Sequence, residues 1–143
     1  MFLLDTNVVS ELRKAKAGKA DKNVTAWAAE NPVAGLFVSV ITVQELEIGV
    51  LRVERRDPAQ GAILRNWLES QVLPSFAERI LPVDVAVGRR SAGLQVPTTR
   101  PVHDALIAAT ALVHGMTVAT RNVCDFEPTG VPILDPWKSR AAD

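Results

Sequence analysis

Five short runs of apolar residues alternate along the chain with longer stretches of amphipathic pattern. The apolar runs cover residues 2–4, 36–40, 80–83, 117–120 and 131–134. Each run is short enough for a buried β-strand, and between them apolar residues recur every three or four positions, as on one face of a helix. Strands that alternate with helices favour a parallel sheet. We therefore expect an α/β fold with a central, mainly parallel five-stranded sheet and helices on both faces.

Helices are predicted between the strands, with their ends at capping and turn-forming residues. One helix follows the first strand directly, and the others cover 24–30, 42–56, a segment carrying 63–68, 85–94 and 102–114. Thr42 and Glu45 have the T-x-x-E spacing of a capping box, which predicts that Glu45 lies in the first turn of its helix. Gly115 closes the last helix. Polar residues 14–22 and proline-rich residues 97–101 are predicted loops.

Length and composition limit the classes of protein that remain. With 143 residues, 48% of them hydrophobic, the chain can bury one core, and we expect a single domain over 1–143. No apolar run approaches the roughly 20 residues of a membrane span. Asp5 interrupts the N-terminal run before a signal-peptide core could form, so we expect a cytoplasmic protein. One cysteine and two histidines make a Cys/His zinc site very improbable, so any metal would be held by oxygen.

The net charge gives no direct indication of a partner. The 16 basic and 16 acidic residues cancel, so the field of the whole molecule does not attract nucleic acid. Any contact with a polyanion must therefore depend on local groups.

Acidic and amide side chains fall where the predicted strands end. Asp5 ends the first strand, Glu45 lies near the start of the helix after the second, and Asp104 lies in the first turn of the helix before the fourth. Asn122 and Asp125 follow the fourth strand. In a parallel sheet these positions share one edge, which is the edge where ligands bind. Four separate segments therefore bring oxygen atoms to one place.

Each of these acids also has a purely structural explanation. Asp5 can cap a helix, Thr42 and Glu45 can form the capping box, and Asp104 can interact with a helix dipole. Carboxylates grouped on one edge, however, repel one another and raise each other's pKa unless a cation lies between them. Oxygen-only ligands suit Mg²⁺ or Mn²⁺, hard ions that bridge to phosphate oxygens. The chemistry indicated is phosphodiester hydrolysis.

Four segments, in this order, also carry a family resemblance. They are residues 3–7 (LLDTN), 39–46 (SVITVQEL), 103–111 (HDALIAATA) and 120–122 (TRN), the last followed by Asp125 and Phe126. With them the chain resembles the PIN-domain nucleases, specifically the VapC-like toxins of bacterial toxin–antitoxin pairs. The resemblance implies a three-layer α/β/α PIN-like fold and a Mg²⁺- or Mn²⁺-dependent endoribonuclease toxin. It further implies an RNA substrate, a cognate antitoxin that silences the toxin, and a homodimer that can double again with antitoxin bound.

The resemblance also assigns roles to residues. Asp5, Glu45 and Asp104 match the family's three principal acids and are the predicted catalytic residues and metal ligands. The fourth metal-ligand position is divided between Asn122, where many relatives have aspartate, and Asp125. Because a neutral amide binds a metal less strongly, one well-held ion is expected, with a second only when RNA phosphate helps. Three further residues are predicted to bind substrate or support the site: Thr6, Asn7 and Arg121.

Other interpretations of these residues stay open. A haloacid-dehalogenase-like phosphatase would use Asp5 as a nucleophile, but it needs a second aspartate where this chain has Asn7. A degenerate PIN domain could act only as an antitoxin-binding co-repressor. The presence of all three principal acids argues against this alternative, whereas Asn122, in place of an aspartate, is compatible with it. His103 could carry protons near neutral pH, but a metal-activated water does not need a histidine for hydrolysis. Trp67 and its neighbour Leu68 belong either to the core or to a groove for an antitoxin segment.

Overall fold

Five parallel strands form the centre of the molecule in the computed structural model, which describes residues 1–138. The strands are β1 (Phe2–Leu4), β2 (Leu36–Ser39), β3 (Ile80–Leu81), β4 (Thr117–Ala119) and β5 (Ile133–Leu134). Their order across the sheet is β3-β2-β1-β4-β5, and every neighbouring pair is parallel. The predicted parallel five-stranded sheet is therefore confirmed. The last five residues of the domain predicted over 1–143 lie outside the described part.

Helices fill the connections between the strands. They are α1 (Thr6–Leu12), α2 (Lys22–Glu30), α3 (Val40–Arg56), α4 (Pro58–Trp67), α5 (Leu73–Ser75), α6 (Val85–Leu94), α7 (Val102–His114) and α8 (Val123–Phe126). A π-helical segment, Leu68–Val72, joins α4 to α5. The π segment, α5 and α8 were not among the predicted elements. Over residues 1–138, no helix is both long and apolar enough to cross a membrane.

The two faces of the sheet each close a hydrophobic core. Successive residues of a strand point to opposite faces, so Leu4 packs in one core and Leu3 in the other, both fully buried. Helices α1 to α5 cover the first core, which contains Trp27, and α6 to α8 cover the second, which contains Ile107 and Phe126. Burying each such large side chain contributes about 1.5–3 kcal/mol, so a one-residue slip of β1 would be costly. The predicted three-layer α/β/α arrangement is confirmed.

Helix α3 begins two residues earlier than predicted, because Ser39 caps it. The Ser39 hydroxyl oxygen accepts a hydrogen bond from the Ile41 amide at 3.0 Å. Thr42 is consequently inside the helix and Glu45 lies in its second turn, so the predicted capping box and the predicted first-turn position of Glu45 are both wrong. Neither side chain is used for capping, and both can reach neighbours at the edge of the sheet.

Helices α3 and α4 form a close-packed hairpin. A Cβ atom at Gly61 would lie only 2.4 Å from the Cα atom of Glu54, so only glycine fits at this crossing. The Arg65 guanidinium donates to both carboxylate oxygens of Glu54, at 2.9 and 3.2 Å, which fixes the two helices relative to each other. The hairpin is thereby a rigid support for Glu45 on the first half of α3.

Candidate functional site

The predicted acids gather at the carboxyl ends of the central strands. The sheet order places β1 between β2 and β4, so the chain connections leave β1 in opposite directions. Such a switch point opens a crevice at the carboxyl edge of a parallel sheet. Asp5 follows β1 at this edge, and Asp104 occupies the first turn of α7. Asp125 lies in the first turn of α8, just beyond β4.

Asp5 is the most buried of these acids, with 6% of its surface exposed. Its Oδ1 accepts a hydrogen bond from the Thr6 amide at 2.8 Å, so Asp5 does cap α1. Its Oδ2 accepts two more, from the Thr120 hydroxyl at 2.8 Å and from the Asn7 side-chain amide at 3.3 Å. The carboxylate is therefore fixed by three donors from two chain segments.

Glu45 is held in place from two other helices. The Thr6 hydroxyl donates to Glu45 Oε1 at 2.6 Å, and the Thr42 hydroxyl oxygen lies 3.3 Å from that of Thr6. On the other side, His103 Nδ1 lies 3.3 Å from Glu45 Oε2. The capping explanation of Glu45 is thereby replaced by contacts that reach across the sheet edge.

Burial and the neighbouring acids alter the protonation of Asp5 and Asp104. Burial raises the pKa of Asp5 above its ordinary value, and the charges of Glu45 and Asp125 raise it further. Burial likewise raises the pKa of Asp104, followed by the charges of Asp5, Asp125 and Glu45, while His103 opposes the rise. Asp104 also lies in the first turn of α7, where a carboxylate interacts favourably with the helix dipole. We call Asp5, Glu45, Asp104 and Asp125 the acidic rim.

The acidic rim is poorly compensated by cations. Among residues 1–138, its one ion pair is the contact of Glu45 with His103, and no lysine or arginine pairs with any of its members. In the same part of the chain, no three histidine, cysteine, aspartate or glutamate side chains are grouped closely enough to hold a metal ion already. The charges of the acidic rim therefore act on Asp5 and Asp104 without lysine or arginine to balance them in this part of the chain.

The remaining predicted residues lie beside the acidic rim, Asn7 in α1 and Arg121 and Asn122 in the loop after β4. Asn7 contacts that loop, since its Oδ1 accepts a hydrogen bond from the Arg121 backbone amide at 3.4 Å. Asn122 is exposed, and its backbone amide donates to the Thr120 hydroxyl at 3.0 Å. Arg121 is exposed and directs its guanidinium over the ring of Trp137, 5.2 Å from the ring centroid. Both Asn122 and Asp125 therefore belong to the segment that borders Asp5.

Sequence reasoning missed two hydroxyl residues, Thr42 and Thr120. Both are fully buried, and Thr120 contacts Asp5, Asn7 and the Asn122 amide through one oxygen atom. The available signal was position, because each hydroxyl lies just beyond a buried strand on the edge that carries the acids. In the sequence Thr42 had the position of a helix cap, and Thr120 that of the last residue of a strand.

Comparison with known proteins agrees with this architecture. The chain matches the family model described as PIN domain over residues 2–123. It is 42% identical over 145 residues to the VapC ribonuclease Y4jK of Sinorhizobium fredii, covering 96% of this chain and 99% of that protein. It is 36% identical over 144 residues to the toxin FitB of Neisseria gonorrhoeae, covering 96% and 99%. The solved structure of FitAB bound to an IR36 DNA fragment matches with a TM-score of 0.86 at 34% identity, covering 98% of both chains.

Proposed function

This chain belongs to the PIN-domain family as a VapC-like toxin, and we propose that it hydrolyses RNA phosphodiester bonds with Mg²⁺ or Mn²⁺ as the ribonuclease of a toxin–antitoxin pair. The observation that carries the proposal is the acidic rim. Acids from separate chain segments meet at one edge of the sheet, where burial first and then their mutual repulsion raise the pKa of Asp5 and Asp104, and no lysine or arginine pairs with them over residues 1–138. An RNA substrate places the proposed activity in the cytoplasm.

The donor set fits a hard divalent cation. Its candidate ligands are carboxylate oxygens of Asp5, Glu45 and Asp104, with Asp125 or the Asn122 amide as the fourth. These are the oxygen ligands that Mg²⁺ and Mn²⁺ prefer, and a divalent charge would offset both the burial and the repulsion that raise the pKa values of Asp5 and Asp104. Of the two fourth ligands we favour Asp125, because its charge already acts on both Asp5 and Asp104.

In the proposed reaction, a bound divalent cation supplies an activated water near neutral pH and neutralises charge that develops on the phosphate. The chain's own residues keep the ligands in place. Thr120 and Asn7 occupy Oδ2 of Asp5, whereas Oδ1 accepts a single hydrogen bond from Thr6 and retains a lone pair. Glu45 is positioned through its Oε1 by the Thr6 hydroxyl. We assign no proton transfer to His103, whose Nδ1 is already next to Glu45 Oε2.

The proposed antitoxin site is a groove between α1 and the helices that follow α3. Its lining consists of Val9, Leu12, Arg13, Lys16, Trp67, Gln71, Val72, Ser75 and Phe76. Leu68 beside it is fully buried in the core, so of the neighbouring pair only Trp67 lines this groove. An apolar floor with Arg13 and Lys16 at its rim suits an amphipathic antitoxin segment that carries acidic residues.

Charge reversal tests the antitoxin site. The expected partner is the product of a small gene adjacent to the gene for this chain. Arg13→Glu should weaken binding of that partner, measured by calorimetry, while RNA cleavage by the free toxin is retained. Arg89→Glu, at an exposed position of α6, is the control. Equal affinity of the two variants for the partner would exclude the groove as its binding site.

We also propose the homodimer that the resemblance implies. Leu51 on α3 and Ile63 on α4 are 53% and 58% exposed, which is apolar surface that a second copy could cover. Light scattering of the purified chain should give twice its mass of 15.5 kDa, and assemblies twice as large again with antitoxin bound. A monomer at micromolar concentration would contradict this part of the proposal.

A second candidate is an inactive binding module that represses transcription together with its antitoxin. Two observations favour it: Asn122 replaces the aspartate of many relatives, and the related FitAB is known bound to DNA. The two functions differ in their need for the acidic rim. A co-repressor would tolerate the loss of Asp5 or Asp104, whereas a ribonuclease would not.

The experiment is RNA cleavage by purified, antitoxin-free protein with Mg²⁺ or Mn²⁺. Wild type should cleave, and Asp5→Asn and Asp104→Asn should lose activity. Asp84→Asn is the matched control, because Asp84 is an exposed N-cap of α6 outside the acidic rim and asparagine caps as well as aspartate. Equal cleavage by wild type and both rim variants, or cleavage that persists in excess chelator, would refute the proposed mechanism.

A further inference from the structure

A stacked pair, Arg121 and Trp137, borders the acidic rim. Arg121 lies between Thr120, whose hydroxyl donates to Asp5, and Asn122. Its backbone is therefore part of the loop that supports the site. Its side chain is exposed, and its guanidinium carbon lies 5.2 Å from the centroid of the Trp137 ring. Neither residue of this pair has a role in the proposed metal-dependent hydrolysis.

Trp137 is a firmly anchored platform. Its amide donates to Asp135 Oδ1 at 2.9 Å, its carbonyl oxygen accepts from the Asn23 side chain at 2.7 Å, and its ring packs against the first core. A guanidinium over such a ring loses fewer orientations when it binds a ligand than a free side chain would. The ring therefore restricts Arg121 without using its N–H donors.

The guanidinium also keeps its charge available. Within residues 1–138, no carboxylate lies within ion-pairing distance of Arg121. Arg121 contributes only slightly to lowering the pKa of Glu11, after hydrogen bonds to that carboxylate. The Glu11 carboxylate instead pairs with Lys14 at 3.1 Å and accepts a hydrogen bond from the Asp21 backbone amide at 2.8 Å. In this part of the chain Arg121 therefore has no structural ion pair with an acid.

We propose that Arg121, held over Trp137, binds a phosphate of the RNA strand adjacent to the bond that is cleaved, with Trp137 as a positioning residue. This inference rests on the proposed ribonuclease function. The planar fork of arginine suits bidentate contact with phosphate. A net charge of zero means that RNA must be attracted locally, and Arg121 is the cation on the loop that carries the Asp5 support.

The test measures RNA binding apart from cleavage. Full-length protein is titrated in excess chelator into a fluorescent single-stranded RNA, and affinity is followed by anisotropy at several salt concentrations. Arg121→Met should weaken binding about tenfold and reduce the slope of log affinity against log salt by about 0.7. Trp137→Leu should weaken binding while Trp137→Phe restores it. Arg89→Met, which removes an exposed arginine of α6 away from the acidic rim, should bind RNA as wild type does.

A double variant separates positioning from simple instability. Because Trp137 is proposed to act through Arg121, Arg121→Met with Trp137→Leu should bind no more weakly than Arg121→Met alone. Unchanged RNA affinity of Arg121→Met would overturn the inference, as would additive losses in the double variant. Weaker antitoxin binding with unchanged RNA binding would mean that the ligand is an antitoxin carboxylate and would also overturn it. If wild type neither binds nor cleaves RNA, the proposed function itself fails.

Discussion

The hydroxyl of Thr120 offers a sharp test of how the site is supported. Thr120→Val removes one oxygen atom at the buried end of β4 and preserves the shape of the side chain. The change deletes the 2.8 Å hydrogen bond to Asp5 Oδ2 and the acceptor for the Asn122 amide. We expect the variant to fold, to be less stable than wild type, and to respond less to Mn²⁺.

The magnitude follows from the burial of Asp5. A hydrogen bond to an ionised group contributes about 1.5–3 kcal/mol, and water cannot replace this donor because Asp5 is only 6% exposed. The Asn122 backbone amide also loses its acceptor, in a partly buried hydrogen bond. We expect the free energy of unfolding to fall by about 2–3 kcal/mol. For a domain of this size the Tm should fall by roughly 5–10 °C.

The effect on metal follows from the effect on protonation. The Thr120 hydrogen bond lowers the pKa of Asp5 against the raising effect of burial. Its removal raises that pKa further, so a cation must compete with a more tightly bound proton. Saturating Mn²⁺ should therefore raise the Tm of Thr120→Val by less than it raises the Tm of wild type.

The assay is thermal unfolding by circular dichroism at neutral pH, with and without Mn²⁺. Thr120→Ser is the matched control, since it keeps the hydroxyl and loses one methyl group at a cost of about 1 kcal/mol. The serine variant should retain the full Mn²⁺ response. If valine and serine variants melt together and gain equally from Mn²⁺, the hydroxyl does not support Asp5 and the reasoning is refuted.

Two further predictions concern the hairpin and the charges of the site. Gly61→Ala should lower the free energy of unfolding, measured in urea, by about 1–3 kcal/mol, because the added Cβ would overlap Glu54. Gly49→Ala has open space around it and should raise the same free energy by about 0.5–1 kcal/mol. Equal effects of the two variants would contradict the packing. Asp104→Asn should match the metal-free wild type below the ordinary carboxyl pKa of 3.8 and exceed its stability increasingly as the pH rises through the raised folded-state pKa. A constant difference at every pH would contradict that raised pKa.

The layers of the fold could be predicted because two local patterns, strand and helix periodicity, alternate without interruption. The order of the strands could not, since it depends on which faces pack together across β1. The start of α3 was misjudged because Val40 and Ile41 continue the β-branched pattern of β2, while the Ser39 cap is a single local contact. Tertiary contacts then gave Glu45 its partners.

The acids of the site were predictable as positions on one edge, and their supports were not. Asp5 and Asp104 follow from where strands and helices end. Thr120 and the stacking of Arg121 on Trp137 join positions that are far apart in sequence, so no local pattern indicates them. A sequence can thus place acidic residues on an edge, whereas the contacts that orient them appear only in three dimensions.

The central claim is that Asp5, Glu45 and Asp104 share a divalent ion. Its most direct test is anomalous diffraction from crystals of the chain grown with Mn²⁺. The account predicts a manganese peak with carboxylate oxygens of at least two of these residues among its ligands, and the loss of that peak in Asp104→Asn. A peak elsewhere, or an acidic rim that stays without manganese at saturating Mn²⁺, would contradict it.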